Sequence, residues 1–384
     1  AEHLRVMAAT DDETRARVAD RPDSLLRVTR PDVDLPDGTS LYGPEAYAGA
    51  QAAFARLCEA GALVRDDAPA YYAYALTWRG RRQLGVVGVA DAADYWADRI
   101  KKHEYTRPAK EDDRMRHIEA VRAHLGPVFL TFRAQADIGR ALEAASAGEP
   151  QVDFVADEVR HQIWPIAGAQ QIATLHAAFA RLDALYIADG HHRSAAAARI
   201  GRDAAEGDAR RRFLAVAFPH DELRILPYNR VVADLNGLTP AALRARLGEI
   251  FELTPLEAAE APARPLSYGM YLDGQWWRLT LKAAARPDPT DPVARLDVSV
   301  LQDRVLAPLL GIADPRRDDR ISFVGGIRGL DELARRAGPD GVAFALHPTA
   351  LEDLMAIADA GEVMPPKSTW FEPKLRTGLL ISTY

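Results

Sequence analysis

The sequence predicts an α/β to α+β fold, with mixed sheets and helices packed on them. Three observations carry this expectation. Short apolar runs of strand length alternate with longer segments of helical period, which is the pattern of a layered mixed fold. Pairs of such runs meet at tight turns, at Arg79-Gly80-Arg81 and at Asp273-Gly274. The stretch "LYIADGHHRSAAAARI", Leu185 to Ile200, leaves a strand, turns on a glycine and enters a helix within a few residues.

In chain order, helical runs are expected at Asp11 to Arg21 and Pro44 to Ala60. "AYYAYALTW" and "RQLGVVGVA" then form a hairpin. Pro108 suits the first turn of a helix on which Met115, Ile118, Val121 and Leu125 share a face. "GPVFLTF" reads as a buried strand, followed by a helix and strand, "DFVADEVRHQIW", and a helix around Gln170 to Leu182. "FLAVAFPHDELRILPYNRVV" reads as a strand pair, and the Pro/Ala-rich Thr254 to Pro265 as a loop. The last third holds "YGMYLDGQWWRLTL" as a hairpin, two or three helices and the strand "RISFVGG". A lobe boundary is expected at Asn236-Gly237, giving an N-terminal lobe 1–236 and a C-terminal α+β lobe 237–384.

The 384 residues are 48% hydrophobic, enough to bury a sizeable core in two lobes. A net charge of -7 disfavours nucleic acid and membrane surfaces as partners, since both call for a basic face. One cysteine, Cys58, allows no internal disulfide and fits a reducing compartment. With no signal-like start and no apolar run near membrane-spanning length, the chain reads as cytoplasmic.

The densest chemistry lies at the Leu185–Ile200 junction. Leu185, Tyr186 and Ile187 make a strand end, Asp189-Gly190 a turn, and Ser194 onward a run of helix formers. The first N–H groups of a helix lack internal partners and carry the positive end of its dipole, so an anion is favoured there, with His191, His192 and Arg193 as further donors. A turn in which Asp189 merely accepts the helix's first N–H groups, with the histidines exposed, stands beside that reading. Adjacent histidines on a helix point roughly 100° apart, so a shared zinc ion is disfavoured.

"KKHEYTRPAKEDDRMRH", Lys101 to His117, is by composition a solvated face, but His103 and Glu104 precede its helix, where a carboxylate can serve as a base. "PPKST" is no phosphate loop: the glycines are missing and Pro365 and Pro366 remove backbone donors. Gly325-Gly326 marks either a second anion loop or tight packing.

"IKKHEYTR", "RHQIW", "YIADGHHRSA", "LPYNRVV", "LDVSVLQ", "FVGGIRG" and "MPPKSTWFEPKLRTGL" together identify the chain as a member of the domain-of-unknown-function 1015 family, over almost its whole length. Members of that family carry a Pro-Tyr-Asp run near the N-terminus; "RVMAATDDETRARV" stands there without it. His103-Glu104 followed by Asp189 to Arg193 is similar to the arrangement in ParB-like free-serine kinases, and the strand–turn–helix is similar to the phosphate loop of sulfiredoxin. The resemblance implies a ParB/sulfiredoxin-like core plus additional lobes.

It also implies phosphoryl transfer between ATP or ADP and the hydroxyl of a small amino acid, serine foremost, with Mg²⁺. Glu104 would take the hydroxyl proton, assisted by His103. Gly190, His191, His192, Arg193 and Ser194 would hold phosphate. Asp189 would hold Mg²⁺ or cap the turn. Arg107, His161, Lys367 and Lys374 would contact substrate, the two lysines from the far lobe. A nucleotide- or metabolite-binding regulator without turnover and a phosphoserine phosphatase are the alternatives, and a homodimer is left open.

Overall fold

The computed structural model describes residues 11–36 and 39–384. The chain divides into two compact units: unit 1 comprises residues 1–223 with Pro373–Tyr384, and unit 2 comprises Arg224–Glu372. The boundary expected at Asn236-Gly237 therefore falls inside unit 2, and the end of the chain belongs with the first unit. "RVMAATDDETRARV", which stands where the family carries Pro-Tyr-Asp, begins in residues 1–10, which lie outside the described residues.

Unit 1 opens with α1 (Asp11–Val18), α2 (Leu26–Thr29) and α3 (Pro44–Glu59). Its sheet begins with β1 (Tyr71–Trp78) and β2 (Arg81–Asp91), joined by a two-residue turn in which Arg79 and Gly80 both have positive φ, as the twist of a tight hairpin requires. After α4 (Ala92–Trp96), β3 (Ile100–Lys101) and α5 (Pro108–Val121), Arg122 turns left-handed and stops the helix short of Leu125. Then come β4 (Ala123–His124), β5 (Val128–Phe132), α6 (Ala136–Ala145), β6 (Val152–Ala156), β7 (Val159–Ile166), α7 (Ala169–Phe179), β8 (Leu185–Asp189), α8 (His191–Gly201) and β9 (Arg212–Pro219).

Eight of these strands form one mixed sheet in the order β3-β8-β5-β9-β2-β1-β7-β6, with β3/β8 and β5/β9 parallel and the remaining pairs antiparallel. Alternation along the strands places Ala73, Val86, Leu130, Phe132, Trp164 and Ala217 in one core, with Ile138 and Leu142 of α6 and Leu175 of α7. Phe132 is fully buried, and a side chain of that size contributes about 1.5–3 kcal/mol by leaving water. A smaller core joins Val28, Ala50, Ala53 and Leu57 of the first helices to Val121 and Leu125.

In unit 2, β10 (Ile225–Leu226) pairs with β17 (Trp370–Phe371). A six-stranded antiparallel sheet has the order β12-β14-β13-β16-β11-β15, from β11 (Tyr228–Val232), β12 (Phe251–Leu256), β13 (Ser267–Leu272), β14 (Gln275–Leu281), β15 (Ile321–Gly325) and β16 (Val342–Ala345). Helices α9 (Pro240–Ile250), α10 (Asp297–Leu301), α11 (Asp331–Ala337) and α12 (Leu351–Asp359) complete it. The expected pairing within "FLAVAFPHDELRILPYNRVV" does not occur: β9 lies in the sheet of unit 1 and β11 in that of unit 2. The unit boundary between Leu223 and Arg224 separates the two runs, a change of sheet that local apolar character does not encode. "TPL" of the expected loop continues β12. At Gly325 a Cβ would meet the Trp370 ring at 2.7 Å, and at Gly326 it would meet Pro227 at 2.7 Å, so this glycine pair serves close packing.

The returning segment closes unit 1 through β18 (Ser382–Thr383), which pairs with β4, and through the Gly378 N–H, which donates to the Leu125 carbonyl at 2.9 Å. Among the described residues no helix is long and apolar enough to cross a membrane.

Candidate functional site

Strand β8 runs beneath the surface through Tyr186, Ile187 and Ala188 and ends at Asp189. Gly190 then takes φ 100° and ψ 29°, a left-handed conformation that delivers the chain directly into α8. The helix starts at His191, three residues before the helix-forming run beginning at Ser194. Gly190 offers no side-chain cap, and the Ser194 N–H closes the first turn on the Gly190 carbonyl at 2.9 Å. The preceding N–H groups, of His191, His192 and Arg193, are those that helix geometry leaves without an intrahelical acceptor. Ser194 is buried and its hydroxyl donates to the His191 carbonyl at 3.0 Å, tightening this turn.

The loop before α5 is brought against this start. His103 and His191 meet edge to face with ring centroids 4.4 Å apart, both almost fully buried. Burial, reinforced by the neighbouring His191, holds His103 well below the ordinary imidazole range. Burial likewise lowers His191 to about 4, against the pull of Asp189, so both rings are neutral at pH 7. Glu104, its side chain 42% exposed, places Oε2 3.8 Å from His191 Nδ1. The Arg107 backbone N–H donates to His192 Nε2 at 3.1 Å, tying the foot of α5 to α8. Arg199 reinforces that contact by pairing with Glu111 at 3.0 Å and Asp112 at 2.9 Å.

Asp189 faces the returning segment. Lys374 Nζ donates to its Oδ2 at 3.1 Å. Burial pushes the Asp189 carboxyl up, but the Lys374 ammonium and Arg193 guanidinium more than reverse this, leaving it well below the usual carboxylate range. Burial lowers Arg193, which Asp189 counteracts. Asp189 and Arg193, with Pro127, Phe129, Leu375 and Thr377, line a cavity of about 10 Å³, room for a single water. Among the described residues, Arg193 Nε, His191 Nε2 and His103 Nδ1 are buried polar atoms with no hydrogen-bond partner. Buried polar groups are ordinarily satisfied, so these three atoms around one helix start have hydrogen-bonding capacity to spare.

The structure thus brings together His103, Glu104, Arg107, Asp189, Gly190, His191, His192, Arg193, Ser194 and Lys374. Lys374 belongs to unit 1, not to the far lobe as expected, because the chain returns after Glu372. Lys367 lies in unit 2 with its ammonium 5.6 Å from the centre of the Tyr228 ring. His161 lies on β7 between Tyr74 and Phe154, with ring centroids 6.0 and 5.0 Å away, and its Nδ1 shares a hydrogen bond of 2.8 Å with the Tyr74 hydroxyl. Asp189 does not cap α8. Among the described residues no group of three or more His, Cys, Asp or Glu side chains is placed to hold a metal ion, and Lys374 already occupies one Asp189 oxygen.

Fold and site define a mixed α/β protein in which a carboxylate-bearing loop is set against the start of a helix. The chain belongs to the DUF1015 family, proteins of unknown function, whose model matches residues 8–299. Comparison with curated proteins gives no match. Among solved structures, SbnI with a C-terminal truncation from Staphylococcus aureus is 13% identical, with 77% of this chain and 86% of that chain covered and a TM-score of 0.42. A free serine kinase variant in complex with AMP is 12% identical, with coverages of 77% and 91% and a TM-score of 0.40. A conserved hypothetical protein from Pyrococcus furiosus is 15% identical, with coverages of 78% and 94% and a TM-score of 0.36.

Proposed function

We propose that unit 1 is a nucleotide-dependent phosphotransferase acting on the hydroxyl of a small amino acid, serine foremost, or running in reverse on phosphoserine. The observation that carries this is the approach of Glu104 to His191 at the uncapped start of α8, with Lys374 and Arg193 acting on Asp189 just before the turn. Phosphoryl transfer asks a protein for little beyond position, neutralisation of charge and a base for the hydroxyl proton. The first N–H groups of α8 and the Arg193 guanidinium hold phosphate oxygens of ATP or ADP. Glu104 accepts the hydroxyl proton as the nucleophile attacks, and the neutral His103–His191 pair fixes the loop that carries it. Lys374 offsets charge near Asp189. The choice of serine rests on the similarity of His103-Glu104 and Asp189 to Arg193 to the motifs of free-serine kinases. No step is routed through Mg²⁺, which is ordinarily held by one or two carboxylates together with substrate phosphates.

The test is a transfer assay with purified protein, Mg²⁺ and ATP or ADP, offering L-serine and O-phosphoserine and detecting products by mass spectrometry. Nucleotide-dependent interconversion is the expected result. Nucleotide binding without turnover would replace this reading by a sensor, and phosphate release from phosphoserine without nucleotide by a phosphatase.

A further inference from the structure

A second cavity in unit 1, of about 390 Å³, lies between the sheet and α7. Its floor is made by small side chains on one sheet face: Gly88 and Ala90 of β2 beside Ala215 and Ala217 of β9, with Gly88 opposite Ala215 and Val86 opposite Ala217. Its roof is Leu175 and Phe179 of α7. Gly88 cannot be enlarged, because a Cβ there would meet the Tyr71 ring at 2.8 Å, so the shallow floor is fixed by its neighbours. Well-packed interiors leave few voids larger than a water, whereas this volume falls in the range of small-molecule pockets, about 300–1,000 Å³. The cavity wall includes Leu185, at the opposite end of β8 from Asp189, roughly 13 Å of strand away. It is therefore distinct from the junction at α8.

The mouth supplies the chemistry. Asp91 is committed there: it caps α4 by accepting the Ala93 N–H at 2.8 Å, and it accepts from Arg211 Nη2 on both oxygens at 3.1 Å and from Arg211 Nε at 3.3 Å. Asp94 and Arg99 form a looser pair, 3.7 Å apart, with side chains 44% and 54% exposed. A carboxylate and a guanidinium beside an apolar cavity, exposed and paired across 3.7 Å rather than hydrogen-bonded, can each turn to an amino acid's ammonium and carboxylate, with the cavity taking its side chain. We propose that this cavity binds an apolar α-amino acid, its ammonium on Asp94, its carboxylate on Arg99 and its side chain under α7.

The experiment is calorimetric titration of the full chain with L-leucine, L-phenylalanine and L-tryptophan at millimolar concentration. Phenethylamine and 3-phenylpropanoate serve as analogues lacking one charged group each. The expected result is saturable one-to-one binding of at least one amino acid, weakened about tenfold or more by either analogue's missing charge and by Arg99→Gln. Ala217→Leu, which fills the floor, should abolish it. If that variant loses its folded circular dichroism, Ala184→Leu at the cavity wall replaces it. No saturable heat from any of the three amino acids would overturn the proposal. So would affinity unchanged in Arg99→Gln or in the folded cavity-filling variant. Neither result depends on the phosphotransferase assay, which reads the other end of β8.

Discussion

Lys374 donates to Asp189 at 3.1 Å across a sequence separation of 185 residues, so the last segment of the chain completes the charge balance at the start of α8. Neither partner is fully buried: their side chains are 18% and 34% exposed. The contact therefore lies between a solvent-screened surface pair and a buried one, and removing either partner leaves the other in a setting built for two.

Lys374→Met should lower unfolding free energy by about 1–3 kcal/mol in urea denaturation, since Asp189 then retains only Arg193 as a near cation. Adding Asp189→Asn should recover part of that loss, giving a double-mutant coupling above 0.5 kcal/mol. Strictly additive losses would mean the two groups do not sense each other.

Gly190 stands at φ 100°, and a Cβ there would meet the Arg193 guanidinium at 3.0 Å. Gly190→Ala meets both penalties and should destabilise the protein by about 1–3 kcal/mol. Gly190→Asn should cost less, because asparagine tolerates left-handed backbone better while keeping the same Cβ. An alanine variant as stable as wild type, read by thermal unfolding, would refute the steric account.

The β1–β2 hairpin and the strand–turn–helix at Asp189 were legible because each is encoded within a few neighbouring residues: two short-range turns, and a switch of period from strand to helix. His161 was partly legible. It shares the inward alternation of Val159 and Ile163 along β7, a signal that places it in the interior rather than at a substrate. The Lys374–Asp189 contact was not legible, because which side chain a terminal segment meets depends on where the whole sheet carries it. The expected pairing of β9 with β11 failed for the same reason, since both runs are apolar and nothing local names their sheet.

Six histidines of unit 1, His103, His117, His124, His161, His191 and His192, are held below the ordinary imidazole value, in every case chiefly by burial. His124, His161 and His191 fall to about 4. Between about pH 6.5 and pH 4 the unfolded chain binds protons that the native one refuses, so stability is lost as pH falls through that window. Glu222, raised by burial, and Asp297, raised to about 7 by burial, act in the opposite sense. The histidines outnumber them, and the melting temperature should fall from pH 6.5 to pH 4.5. Asp297→Asn, which removes one opposing group, should steepen the fall. A melting temperature that stays level or rises on acidification would contradict this balance.

If Glu104 is the base, Glu104→Gln keeps the shape of the side chain and removes the proton acceptor. Turnover of serine should then drop roughly 10²- to 10⁴-fold while nucleotide affinity stays within a few-fold. Arg193→Ala should do the reverse in kind. Its guanidinium has Nε buried without a hydrogen-bond partner beside the α8 start, so its loss should weaken nucleotide binding by about tenfold or more in calorimetry. The pair separates the two halves of the site, because one variant reads proton transfer and the other phosphate contact. Wild-type turnover in Glu104→Gln would remove that residue from the chemistry, and unchanged nucleotide affinity in Arg193→Ala would move the phosphate away from the start of α8.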